Sequence, residues 1–175
     1  MPQLSSFMPS ILVLGTILVV SVILTVTRPR LKLEVRTSVR FLSVVALTFL
    51  AQGFHFLEEW GSRFYVRLPE VFGLPPFGEA LFVWFNAAWL AIWVISLFAV
   101  RRGIVIAACP LWFLGLGMVL NLLAHPILAL RASAYFPGLF TSPIVGLLGI
   151  LTIRELLRVS APEGVARPSD ARWER

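Results

Sequence analysis

Cysteine is almost missing from this chain. Cys109 stands alone among 175 residues, so an intrachain disulfide and a cysteine metal cluster are both excluded, and the redox compartment is left open. Charge is scarce too. Asp, Glu, Lys and Arg make up 14% of the residues, whereas a soluble domain carries about 25%. A water-facing surface cannot be dressed with so little, which argues against an ordinary soluble protein. Acidic groups are the rarer sign, nine against fifteen basic residues, for a net charge of +6. In so apolar a chain that excess bears on membrane topology and anionic headgroups, and no nucleic-acid partner is needed to explain it.

What the chain has in quantity is hydrocarbon. The apolar fraction is 58% and the mean hydropathy +0.88. Runs of about 18 residues or more recur, each long enough to cross a hydrocarbon core of about 30 Å as a helix. Five such spans are predicted, at 7–26, 38–60, 79–100, 103–130 and 136–157. The fold class expected is therefore all-α: a polytopic membrane bundle of five transmembrane helices over 1–158, with a disordered cytoplasmic tail at 159–175. No basic region precedes the first span and no small-residue cleavage site follows it, which argues against a removed signal peptide.

Basic residues divide unevenly between the two ends of these spans. Arg28, Arg30, Lys32, Arg36 and Arg40, then Arg101 and Arg102, then Arg154, Arg158, Arg167, Arg172 and Arg175 share one side, twelve of the fifteen. Arg63, Arg67 and Arg131 hold the other. The positive-inside rule then predicts an outside N-terminus and a cytoplasmic C-terminus in the plasma membrane.

Threading the spans this way gathers the polar residues at the outer end. His55, Glu58 and Glu59 close span two, Glu79 opens span three with Asn86 two turns deeper, and Asn121 and His125 approach the end of span four. Tyr135 and Thr141 open span five, and Trp60 sits in the same slab of roughly 10–15 Å, reckoned at 1.5 Å per residue. His55 lies three and four residues before Glu58 and Glu59, so both carboxylates can share a face with the imidazole. Asn121 and His125 are also four apart. Each residue also has a structural explanation: helix-end carboxylates, packing histidines, interhelical Asn bonds, interfacial Trp and Tyr, and close-packing glycines at Gly115, Gly117, Gly146 and Gly149. Their convergence favours function, because ionisable groups inside a membrane are costly and sit where they are used.

The stretch "HFLEEW" resembles the signature of the HXXEE-motif family of small integral membrane proteins, and "NLLAH" and "YFPGLFT" extend the resemblance over roughly residues 40–150. That resemblance implies a membrane protein with a shared polar site and supplies no reaction. The emopamil-binding sterol isomerases are similar in the order of His55 and Glu59 on helix two, Glu79 on helix three and Asn121 on helix four, which implies proton movement at a sterol double bond. His125 and the second carboxylate Glu58 depart from that pattern. "EEWGSR" fits a Glu-Glu-x3-Arg element of intramembrane CAAX-type proteases, but the Phe-x3-His element and enough spans are lacking.

Three readings follow. In the first, the cluster performs acid–base chemistry, isomerisation or cyclisation, on a lipophilic, isoprenoid-like substrate, without a cofactor. His55, Glu58, Glu59, Glu79, Asn121 and His125 would be catalytic, with Trp60, Asn86, Tyr135 and Thr141 binding substrate. Environment sets which carboxyl or imidazole holds its proton. In the second, His55, Glu59 and His125 hold zinc, iron or manganese in a hydrolase or oxidase, with Glu58 or Glu79 as base. In the third, the protein is a non-enzymatic lipid-binding or structural membrane protein. Membrane lipids are the expected surroundings in all three.

Overall fold

A computed structural model describes residues 2–162. Six α-helices run in chain order: α1 (Pro2–Thr27), α2 (Val39–Gly61), α3 (Phe64–Val71), α4 (Glu79–Arg101), α5 (Ala108–Ala132) and α6 (Ser142–Val159). The described residues are all-α apart from a two-residue antiparallel pair, Arg30–Leu31 with Ser160–Ala161. Among the described residues, four segments are long and apolar enough to cross a membrane: Met8–Thr27, Val39–Gly61, Glu79–Arg101 and Val105–Ala132. The expected fifth span is different in kind. Its helix starts at Ser142 rather than at residue 136, and its 18 residues include Arg154, Glu155 and Arg158.

Residues 136–141 form a turn because Pro137 and Gly138 interrupt the helix, Gly138 with φ 84°. Val159, Ser160 and Ala161, expected at the head of a disordered tail, are ordered. Val159 and Ser160 are buried, and the strand pair holds Ser160 and Ala161. The remainder of that predicted tail, from 163, lies outside the described residues. The short helix α3 was not expected; it follows Arg63, which takes a left-handed turn at φ 58°.

Helix packing follows the small residues. α5 and α6 share the most extensive interface, and glycine makes it possible. A methyl group at Gly149 would lie 2.7 Å from the Gly115 carbonyl oxygen, and one at Gly146 would meet Leu122. Close backbone approach of this kind is what drives helices together when lipid is as apolar as the side chains. Gly117 differs from its neighbours, since nothing lies within 4 Å of the position its Cβ would take; it borders a cavity instead. α1 and α4 also lean on α5 but barely touch each other. Leu12, Val19 and Val26 on α1, like Trp84 and Ile95 on α4, are exposed, as lipid-facing side chains of spanning helices must be.

Polar contacts tie the helices at both ends. At one end the Arg28 guanidinium donates to the Ser160 hydroxyl and to two carbonyls, and Arg101 donates to the Arg36 carbonyl. Glu155, almost fully buried, meets Arg40 at 2.7 Å and Arg158 at 3.0 Å. One turn further in, the Thr48 and Thr152 hydroxyls are 2.8 Å apart, joining α2 to α6. The opposite end carries the candidate site.

Candidate functional site: a buried His–Glu–His triad

α2 brings His55 and Glu59 to one interior face because they are four residues apart. α5 places His125 opposite them. All three are buried. Each histidine Nε2 lies 3.5 Å from the same Glu59 oxygen, Oε1. The imidazole rings meet edge to face with centroids 4.8 Å apart, and one ligating atom from each of the three residues fits within 4.8 Å of the others.

The surrounding hydrogen bonds fix which ring nitrogen carries the proton. Glu58 accepts four: from the Tyr135 hydroxyl at 2.7 Å, the Phe140 and Thr141 amides at 3.0 and 2.9 Å, and the Thr141 hydroxyl at 2.5 Å. Thr141 thus spends its only proton on Glu58. Its oxygen, 2.7 Å from His55 Nδ1, is left to accept, so Nδ1 is the protonated nitrogen of His55. His125 Nδ1 lies 2.5 Å from the Pro137 carbonyl oxygen, which can only accept. Nδ1 carries the proton there as well. With a single proton on each ring, Nε2 is the lone-pair nitrogen, and in both rings it faces Glu59.

Two lone pairs and a carboxylate oxygen turned toward one point repel unless something positive lies among them. Among the described residues, the donor into this group is the Asn121 amide, 3.2 Å from His55 Nε2. The arrangement calls for a proton or a metal cation. The two 3.5 Å separations suit a metal, since ligands about 2.1 Å from a tetrahedral ion stand about 3.4 Å apart; the three ligating atoms lie within 4.8 Å of one another, so the two rings would draw closer around an ion. Hydrogen bonding of each remote Nδ1–H to a fixed acceptor is also how metal-binding histidines are oriented.

Sequence proximity misled in one respect. Glu58 and Glu59 are adjacent but have different tasks, being about a quarter-turn apart on the helix. Glu59 joins the triad, while Glu58 clasps the 135–141 turn and has no acceptor position to spare as a base. Glu79 belongs to neither group. It is exposed, accepting from the Trp60 indole at 2.8 Å and the Tyr65 hydroxyl at 3.2 Å where α2 meets α4. Trp60 is accordingly a strut for Glu79, and Tyr135, with its hydroxyl on Glu58, is a strut for the turn. Burial and then the Glu58 carboxylate push the Tyr135 phenol above its ordinary pKa, which keeps it a donor. Asn86 donates to its own helix, to the Phe82 carbonyl at 2.9 Å, and borders the cavity beside the triad.

Residues absent from the expected set matter as well. Pro137 supplies the acceptor for His125. Gly138 is required twice: its φ of 84° favours glycine, and a Cβ there would lie 2.5 Å from His125 Cε1 and 2.7 Å from His55 Cε1. The Pro-Gly pair in "YFPGLFT" was the visible sign of this turn, but nothing local announces that two rings press on it.

A cavity of about 350 Å³ opens beside the triad, with Glu59, His125 and Asn121 in its wall. Its α5 lining runs from Phe113 to Leu128, roughly 22 Å of helix. Apart from the triad end the wall is mainly apolar and aromatic, as in Trp89, Trp93 and Phe113. Compared with family models, with curated proteins and with solved structures, the chain gives no match.

Proposed function

We propose that this is an integral membrane enzyme whose His55, Glu59 and His125 bind a divalent metal, zinc or else iron or manganese, and act on a lipophilic substrate held in the adjoining cavity. The observation that carries the reading is the convergence of both Nε2 lone pairs on Glu59, each 3.5 Å away, with each Nδ1 proton committed elsewhere. A metal bound there supplies a Lewis acid and a water acidified to a pKa near 7. The chain's own residues do the rest. Thr141 and Pro137 hold the rings, Glu58 holds Thr141, and Asn121 is placed to orient a substrate oxygen near His55. Three protein ligands leave a position for that oxygen, the usual plan of a catalytic site. Since Glu58 is saturated and Glu79 is engaged at the surface, neither serves as the base in this reading. Hydrolysis of a lipid is the reaction class favoured.

In the same proposal α6 is a fifth crossing with its charged residues at one membrane face. Contacts among Arg28, Arg36, Arg40, Arg101 and Arg158 gather basic groups at the end away from the triad, supporting a cytoplasmic C-terminus and a triad near the outer face of a plasma membrane. The kinship with HXXEE-motif proteins belongs here too, resting on His55, Glu58 and Glu59.

Acid–base isomerisation of an isoprenoid-like substrate is the second reading, and one contact favours it. The Asn121 amide donates to the very lone pair on His55 that a metal would need. In that case a proton shared among His55, Glu59 and His125 replaces the ion. Metal analysis of the purified full-length protein separates the two. The metal reading expects about one ion per chain, depleted in His55→Gln and in His125→Gln alike. Stoichiometric metal missing from the wild type, or retained in both variants, overturns it; a metal-free wild type with inactive histidine variants establishes the proton relay.

A further inference from the structure

The cavity holds two polar atoms that the triad does not use. Gln52 Oε1 and Trp93 Nε1 are both buried and without a hydrogen-bond partner, and both residues line the cavity. Polar atoms left this way cost free energy, more so in a membrane, where no solvent compensates. Gln52 is seven residues before Glu59 on α2, two turns along the same face and roughly 10 Å away from the triad end.

Helix direction brings the two atoms toward a common level. The Trp60–Glu79 bond sets the register of the antiparallel α2 and α4. Counted inward from it, Gln52 lies eight residues along and Trp93 fourteen. That leaves a stagger of roughly 9 Å. Helical side chains lean toward the N-terminus of their helix. On α2 that direction leads away from the triad, and on α4 it leads toward it, so the two side chains reach into the gap from opposite sides. Gln52 presents an acceptor and Trp93 a donor. A hydroxyl group both donates and accepts, so a single one can answer both atoms.

We propose that the cavity binds a single-chain lipid carrying a hydroxyl near the middle of its chain, with its polar head at the triad and its mid-chain hydroxyl between Gln52 and Trp93. The lipid enters sideways from the bilayer between α1 and α4, which both pack on α5 and barely meet, while Pro9 and Leu14 of α1 and Trp89 of α4 line the same cavity. Taking the head to the triad rests on the metal-site reading above; the binding of the chain and its hydroxyl does not.

The test uses radiolabelled stearic acid and its mid-chain hydroxy derivative, with the full-length protein in lipid nanodiscs and metal content measured on the same samples. Wild type is expected to bind the hydroxy acid about five- to tenfold more tightly, the worth of a hydrogen bond that rescues buried polar groups. Gln52→Leu and Trp93→Phe should each erase most of that preference while still binding stearic acid. Gly117→Leu should abolish binding of both acids, because its side chain enters the cavity from a position where no neighbour lies within 4 Å. Metal content should be the same in all four proteins. Equal binding of the two acids by wild type, or a preference that survives both Gln52→Leu and Trp93→Phe, overturns the hydroxyl assignment. Undiminished binding by a folded Gly117→Leu protein overturns the cavity as the site. Absence of metal together with the expected preference leaves this proposal standing and removes only the metal-centre reading.

Discussion

Among the described residues, each end of the bundle buries one carboxylate, and the two ends treat it in opposite ways. Glu155 meets two guanidiniums, at 2.7 and 3.0 Å, groups that keep their charge at any physiological pH. Its charge is answered permanently, and the Arg40 and Arg158 side chains reach toward solvent at 59% and 40% exposure. Glu59 meets two imidazoles at 3.5 Å, whose lone pairs offer no charge until a proton or a metal arrives. The first arrangement is finished by folding. The second is finished only by something exchangeable, and that difference separates a structural ion pair from a candidate site.

Breaking the closed end should cost the most stability. With Arg40→Ala and Arg158→Ala together, Glu155 stays buried without its cations, and the loss should approach about 3–5 kcal/mol. Thermal unfolding in detergent measures it, and the metal bound per folded molecule should not change. Glu59→Gln is the counterpart at the open end. Compared with wild type stripped of metal, it should leave unfolding nearly where it was, since it removes an unanswered charge, and it should eliminate stoichiometric metal binding. A large loss of stability in Glu59→Gln with metal retained would erase the contrast between the two ends.

Gly138→Ala tests the turn that holds both rings. Left-handed backbone and ring contact together should cost about 1–3 kcal/mol, visible as a lower unfolding temperature, and should displace the histidines enough to reduce metal binding. Thr141→Val is finer. It keeps the shape of the side chain but removes the hydroxyl linking His55 to Glu58, so metal affinity should fall about 10–100-fold. Thr141→Ser should recover most of it in the same competition titration. Smallest of all is Tyr135→Phe. Its bond to Glu58 is at a part-exposed site, where the remaining donors still hold the carboxylate, and the cost should stay below about 1 kcal/mol by chemical denaturation.

Much of the site was legible from the sequence because helices crossing a membrane leave so little freedom. Span boundaries set the depth of each residue, and the four-residue spacings of His55 with Glu59 and of Asn121 with His125 set the faces. What could not be read was the division of labour. Glu58 and Glu79 resemble Glu59 in sequence, yet the first is consumed by four donors and the second is held at the surface by Trp60 and Tyr65. Gly117 looked like its packing neighbours but opens onto the cavity. Such distinctions depend on what faces a residue from other helices, which periodicity does not encode.

The apolar runs, their lengths and the scarcity of charge determined by themselves that the chain forms spanning helices, because hydrocarbon tolerates no unpaired backbone. Helical period likewise determined that His55 and Glu59 point the same way. Only the tertiary structure decided that His125 faces them across the bundle, that acceptors in the 135–141 turn keep the proton of each ring on Nδ1, and that Gly138 is the residue the rings can touch. Those outcomes depend on contacts between α2, α5 and the turn before α6, segments far apart in the chain, and they exist only once the helices have packed.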